Sequence, residues 1–301
     1  MIKRTVEIST HGCYVHTKDE QLLIEKDGFK VGSVPIEDLG VLILDSPQLL
    51  ITSSVMSSLA EQNVAVIFTD QKHLPSSLTI PFSVNSIQTK ILNAQIEVSL
   101  PIKKRLWASI ISAKIANQSR ALELCGKDGT ALKEIAARVK SGDPENLEAY
   151  AAKLYWRKLF GDDFRRDRFA DDQNMLLNYG YAIVRAATAR AIVGTGLHPS
   201  LGINHKNQYN PFPLADDLVE PLRAFVDVRV FEIVRELSEA GADPEIRLGR
   251  ERKARILAIL AEDCNFDGRR SPLLAALGTY AATVKQVMMG EADKPLIPVL
   301  V

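Results

Sequence analysis

The sequence predicts an α+β fold, a small N-terminal β-rich domain followed by a larger all-α domain. Three observations carry that expectation. Over the first eighty residues, apolar side chains alternate in short runs broken by turn residues. A stretch rich in proline and serine, KHLPSSLTIPFS, comes next. Beyond it, apolar residues recur at the three- and four-residue spacing of amphipathic helices.

Taken in order, RTVEIS, GCYVH, QLLIEK and FKVGSV read as strands, with Asp27-Gly28 turning the last pair into a hairpin. VLILD at 41–45 is apolar on both faces, as an interior strand must be. SSVMSSLAEQN reads as a serine-capped helix, and VAVIFT returns to strand. The domains implied are 1–75 (β-rich), a linker at 76–88, and 89–301 (helical). The expected helices are SIQTKILNAQIEVSL, KKRLWASIISAKIANQSRALELCG, NLEAYAAKLYWRKLFG, NMLLNYGYAIVRAATARAIVG, LRAFVDVRVFEIVRELSEAG, KARILAILAEDC and PLLAALGTYAATVKQVMMG.

Composition narrows the function classes. The chain has 301 residues, 46% hydrophobic and 25% charged, enough apolar content for a substantial core. No run of about 18 uncharged apolar residues suggests a membrane span, and MIKRTVEIST reads as a strand rather than a secretory signal. Three widely spaced cysteines, Cys13, Cys125 and Cys264, form no zinc ribbon and fit a reducing cytoplasm. Net charge is zero, yet residues 1–82 carry a net −4 and the remainder +4. Basic runs begin at Lys103, Trp156 and Arg247; each is either a solvated helix face or a surface for phosphate backbones.

The candidate chemistry lies in GINHKNQYNPFPLADDLVEPLR, where His205 is close in sequence to Asp216, Asp217 and Glu220. Asp217 and Glu220, three apart, share one face of a helix expected to begin near Asp217, with Pro221 tolerated close to its start. Another carboxylate, Glu148, heads the stripe Ala152, Tyr155 and Leu159. It is either an inward-facing acid compensated by a metal or cation, or an exposed first-turn glutamate favoured by the helix dipole. His205 is likewise either a ligand or a hydrogen-bonded loop residue. One imidazole with two or more carboxylates suits manganese or magnesium. Such a site can stabilise charge in phosphodiester chemistry while basic side chains hold the backbone.

The pattern H-x-x-x-x-x-P-F-x-L-A-D-D-L-x-E-P-x-R, from His205 to Arg223, resembles the signature of the CRISPR-associated spacer-acquisition integrases, in the form found in type II systems. The resemblance covers nearly the whole chain. It implies a divalent-metal-dependent DNA integrase and endonuclease that joins 3′-hydroxyl ends of captured DNA to the borders of a CRISPR repeat by transesterification. It assigns the metal ligands to Glu148, His205 and Glu220, with Asp217 supporting, either orienting His205 or binding a second metal or water. Glu220 stands where many relatives have aspartate. A homodimer is implied, formed largely through the β-domain, two of which clamp a dimer of a small ferredoxin-like adaptation protein in a four-to-two complex. In type II systems the effector nuclease and an accessory adaptation protein can join. The DNA would be a duplex with 3′ overhangs, its ends capped by His11 or Tyr14, for which a simple strand or turn role is an equal alternative. Arg223, Arg247, Arg250, Arg252 and Lys253 are the further candidate DNA contacts. The rival readings are a DNA-binding scaffold without chemistry and a small-molecule metallohydrolase.

Overall fold

Asp27 and Gly28 both adopt positive φ, 51° and 79°, as a two-residue hairpin turn demands. They join β3 (Gln21–Lys26) to β4 (Phe29–Pro35) in the computed structural model, which describes residues 3–82, 84–167, 169–239, 241 and 248–301. With β2 (Cys13–Lys18) and β6 (Leu50–Ile51) these strands form one four-stranded sheet, ordered β4-β3-β2-β6. A second sheet is ordered β1-β5-β7-β8, from β1 (Arg4–Ile8), β5 (Leu39–Leu44), β7 (Ala65–Thr69) and β8 (Pro75–Thr79). The first three run parallel, and α1 (Ser53–Glu61) precedes β7.

Every residue of β5 is buried, as its unbroken apolar run requires. Its alternate side chains serve two cores. Leu42 and Leu44 join Val15, Leu22, Val55 and Leu59 between the sheets, while Val41 and Ile43 join the core of the helices. β7 divides likewise, Val66 to one side and Ala65 and Ile67 to the other. Because side chains alternate across a strand, one sheet therefore belongs to both layers.

The helical part comprises α2 (Gln88–Glu97), α3 (Leu100–Leu124), α4 (Thr130–Arg138), α5 (Leu147–Phe160), α6 (Gln173–Gly194), α7 (Pro213–Val219), α8 (Arg223–Glu239), α9 (Arg250–Leu257) and α10 (Leu273–Met288). Three features depart from the sequence expectation. Across the expected boundary between β-rich domain and linker, Pro75–Thr79 pairs antiparallel with β7, its proline sitting at the strand's first position where a missing donor is tolerated. Within the expected all-helical part, β9 (Asp263–Phe266) and β10 (Arg269–Pro272) form a hairpin. Its turn, Asp267-Gly268, has φ of 51° and 74°, repeating the Asp27-Gly28 solution. Finally, the helix expected near Asp217 begins at Pro213 and is interrupted by a 3-10 turn at Glu220–Leu222. Pro221 explains the break, since it has no N–H to bond the carbonyl of Asp217.

Among the described residues no helix is long and apolar enough to cross a membrane.

Candidate active site

Three elements carry Glu148, Glu220 and His205 against α3, the two glutamates at Lys114 and the histidine at Trp107. Glu148 sits in the first turn of α5, whose opening N–H groups are capped by Asp143: Leu147 donates to Oδ1 at 2.9 Å and Glu148 to Oδ2 at 3.0 Å. Its neighbours Leu147, Ala151, Tyr155 and Leu159 are buried, so the carboxylate lies at the edge of the inward stripe and is half-buried. Glu220, in the 3-10 turn, is almost wholly buried.

Both carboxylates meet one cation. Nζ of Lys114, on α3, lies 2.6 Å from Oε1 of Glu148 and 2.6 Å from Oε2 of Glu220. The two oxygens are therefore no further apart than twice that distance. On its other oxygen, Glu220 accepts from Nε of Arg223 at 3.0 Å. Burial alone would raise the Glu220 pKa, but Arg223 and Lys114 outweigh it and hold the carboxyl down at about 2. Burial also works against the charge on Lys114, yet Glu220 and Glu148 lift its pKa above the ordinary lysine value.

His205 is oriented by Asp217, a fully buried carboxylate on α7 that takes four hydrogen bonds. Oδ2 accepts from the backbone N–H groups of Ile203 at 2.5 Å and Asn204 at 3.1 Å. Oδ1 pairs with Nδ1 of His205 at 2.7 Å and accepts from the His205 N–H at 3.2 Å. The loop wraps so tightly that a Cβ on Gly202 would meet the His205 carbonyl at 2.5 Å and Asp217 Oδ2 at 3.2 Å. The hydrogen bond that the imidazole donates to Asp217 is the main cause of a raised His205 pKa, against partial burial. Trp107 of α3 meets the imidazole edge-on, centroids 5.9 Å apart. With Nδ1 committed to Asp217, Nε2 is the nitrogen left to bind a metal or proton. Asp216 faces away, bonded to Arg185 and Asn210.

Among the described residues no three His, Cys, Asp or Glu side chains are already gathered as a metal cluster. The donor set nevertheless fits a hard divalent cation: two carboxylates share a positive charge and an imidazole is aligned through its other nitrogen. The hydroxyl of Tyr280, fully buried on α10, has no hydrogen-bond partner among the described residues. Burial first, and then the charges of Asp217 and Glu220, raise its pKa well above the ordinary value.

Residues outside the expected set complete the site. Lys114 sits among Ile110, Ile111 and Ile115 on the buried stripe of α3, so the inward-facing argument applied to Glu148 would have found it too. Behind it, Nδ2 of Asn117 donates to the carbonyls of Pro221 at 2.8 Å and Pro298 at 3.0 Å, and Oδ1 accepts from Leu300 N–H at 3.1 Å. Asp227, buried on α8, accepts from Tyr155 at 2.8 Å and from Tyr181. The Tyr181 ring lies under the guanidinium of Arg223 at 4.6 Å, steadying the group that grips Glu220.

The expected DNA contacts divide. His11 is exposed and bonded to Ser46, and Tyr14 is exposed and stacked on His16, their centroids 5.0 Å apart. Arg250 is exposed, Arg252 half-buried, and Arg247 lies outside the described residues. Arg223 is committed to Glu220 rather than to an open face. Lys253 is a correction: it is buried, with its ammonium against Asp45 and 3.4 Å from Glu7. The helical period that turns Ile256 inward turns Lys253 with it, toward the second sheet. Arg255 is held by both oxygens of Glu236, at 2.6 and 2.7 Å, so this residue and Lys253 are engaged with carboxylates of the chain itself.

The family model "CRISPR associated protein Cas1" matches residues 6–250. A CRISPR-associated endonuclease Cas1 from Neisseria meningitidis serogroup C (strain 8013) is 41% identical over 215 residues, 71% of this chain and 70% of that protein. A casposase bound to integration product has the same fold, with a TM-score of 0.77 at 19% identity, over 98% of this chain and 92% of that one. A chain of a Cas6-RT-Cas1–Cas2 complex matches with a TM-score of 0.73 at 20% identity, over 96% of this chain and 35% of that one. The family-model match over residues 6–250 and the meningococcal relative agree, and the solved structures share the fold: the chain is a member of the CRISPR-associated Cas1 family.

Proposed function

We propose that this chain is a divalent-metal-dependent DNA integrase and endonuclease of CRISPR adaptation, joining 3′-hydroxyl ends of captured fragments to the borders of a CRISPR repeat by transesterification. One observation carries the reading: Glu148 and Glu220, 72 positions apart in the sequence, are drawn onto a single positive charge, and Glu220 is near enough to act electrostatically on an imidazole aligned by a buried carboxylate. Family membership supports it, as do the endonuclease name of the meningococcal relative and the casposase held with its integration product.

Glu148, His205 and Glu220 would hold the metal. Magnesium or manganese, when bound, supplies charge stabilisation at the phosphoryl oxygens and lowers the pKa of a bound hydroxyl or water. The chain's own groups do the rest. Asp217 fixes the imidazole through Nδ1 and leaves Nε2 as the nitrogen that would hold the metal, and Arg223 keeps Glu220 ionised and in place. Trp107 limits the rotation of His205 and covers one side of it. The partners that fit this reading are a second copy of the chain, the small ferredoxin-like adaptation protein and, in a type II setting, the effector nuclease with an accessory adaptation protein. The Cas1–Cas2 complex among the structural relatives supports a Cas2 partner within that grouping.

The test is transfer of a labelled duplex with 3′ overhangs into a supercoiled plasmid bearing the repeat, with manganese or magnesium and with and without the small partner. Glu148→Ala, His205→Ala and Glu220→Ala should each abolish transfer while leaving the fold intact. Full activity in any of them, or transfer in chelator, would refute the reading. DNA binding without transfer by the unmodified chain and its partner would identify a scaffold instead.

A further inference from the structure

Lys114 sits where a cation must sit if Glu148 and Glu220 are to share one, and this carries an inference that rests on the proposed function and goes beyond it. We propose that Lys114 is a resident counter-ion of the site. Its ammonium holds the two carboxylates together before metal binds and must withdraw as a divalent cation arrives. Metal binding to the free chain is therefore weak until a DNA phosphate joins it.

Space supports this first. One oxygen of each carboxylate is 2.6 Å from Nζ, whereas magnesium asks for oxygens at about 2.0–2.1 Å from its own centre. One gap of that width holds an ammonium or a dication, and placing both there sets like charges in contact. Lys114 is also able to leave. Its ammonium ends a flexible four-carbon stem, so it can retract while α3 stays packed. Arg223 has no such freedom, being held at Glu220 and over the Tyr181 ring.

Charge supports it next. Lys114 and Arg223 already balance Glu148 and Glu220, so a dication leaves the cluster in excess of positive charge. A phosphodiester reduces that excess, and the displaced ammonium remains within a side-chain's reach to face the same anion. Metal and DNA should therefore each strengthen binding of the other, as linkage requires.

The experiment is manganese binding, read by the loss of the free-ion paramagnetic resonance signal, on the full chain with and without a short duplex bearing 3′ overhangs. The unmodified chain should bind manganese about tenfold or more tightly with DNA than without. Lys114→Met and Lys114→Gln should bind manganese about tenfold more tightly than the unmodified chain when DNA is absent, with the gain from DNA largely lost. Lys114→Arg, which keeps the charge, should stay weak. Affinity in both neutral variants equal to or below that of the unmodified chain would overturn the proposal. If these variants unfold in chelator, manganese should restore their fold, and a failure to restore it would equally overturn the proposal. Glu220→Gln separates the two readings. If it leaves manganese binding unchanged, the ligand assignment itself fails; if it abolishes binding while the Lys114 variants change nothing, only the counter-ion proposal fails.

Discussion

Four hydrogen bonds on one carboxylate make Asp217 the hinge pin of the histidine loop. Asp217→Asn replaces one acceptor oxygen by an NH2 group that faces donors. It should cost about 1–3 kcal/mol and release the Ile203 and Asn204 amides to hydrogen exchange. Strand transfer should fall by roughly 10–100-fold, the usual penalty for disturbing the partner of a ligating imidazole. Asp227 makes a different prediction. Burial raises its pKa to about 6, despite the two tyrosine hydroxyls and the nearby Arg223 and Arg166. The unfolded chain releases the same proton near 4. Between these values the native state binds more protons, so this residue's contribution to stability falls as pH rises through that window and levels off above it. In equilibrium unfolding from pH 4 to 7, the stability difference between the unmodified chain and Asp227→Asn should change across that window and become constant above it.

Among the elements, α3 organises most of the site, offering Trp107 to His205, Lys114 to both glutamates and Asn117 to the turn behind Glu220. Asn117→Ala strands two carbonyls and one N–H, and should cost about 2–4 kcal/mol in denaturant unfolding. Pro221→Ala should let α7 run into α8 as one helix, turning Glu220 off Lys114 and lowering strand transfer more than stability. Much of this was legible beforehand. Residue type and spacing made Glu148, His205 and Glu220 candidates while leaving each an ordinary structural role, and the resemblance is what joined them into one set. Lys114 and Asp227 sit in equally apolar stripes, but their partners come from helices far off in sequence, and only packing brings the opposite charges together. The β9–β10 hairpin was hidden for another reason. The apolar run ILAIL ahead of it keeps a helical rhythm, and Asp267-Gly268 is the sole local mark of a turn. Lys253 was misjudged because a basic run reads the same whether its charges meet solvent or buried acids.

At the scale of the whole molecule, β5 and β7 bind the β-rich domain to the helices, and Lys253 adds an ionic tie to Asp45 and Glu7. Ile43→Ala should cost about 2–5 kcal/mol and lower the melting of sheet and helices together, giving one calorimetric transition in both proteins. Two separate transitions would mean the shared strands do not join the layers energetically. Lys253→Met, which leaves two acids without their buried cation, should cost about 3–5 kcal/mol and leave the affinity for short DNA unchanged. The double-sided strands also bear on how this gene can be dissected. A fragment encoding only the first eighty codons would bare Val41, Ile43, Ala65 and Ile67, and should clump on expression. Supplying the remaining codons from a second plasmid should return it to solution, because the missing half is what covers those four side chains.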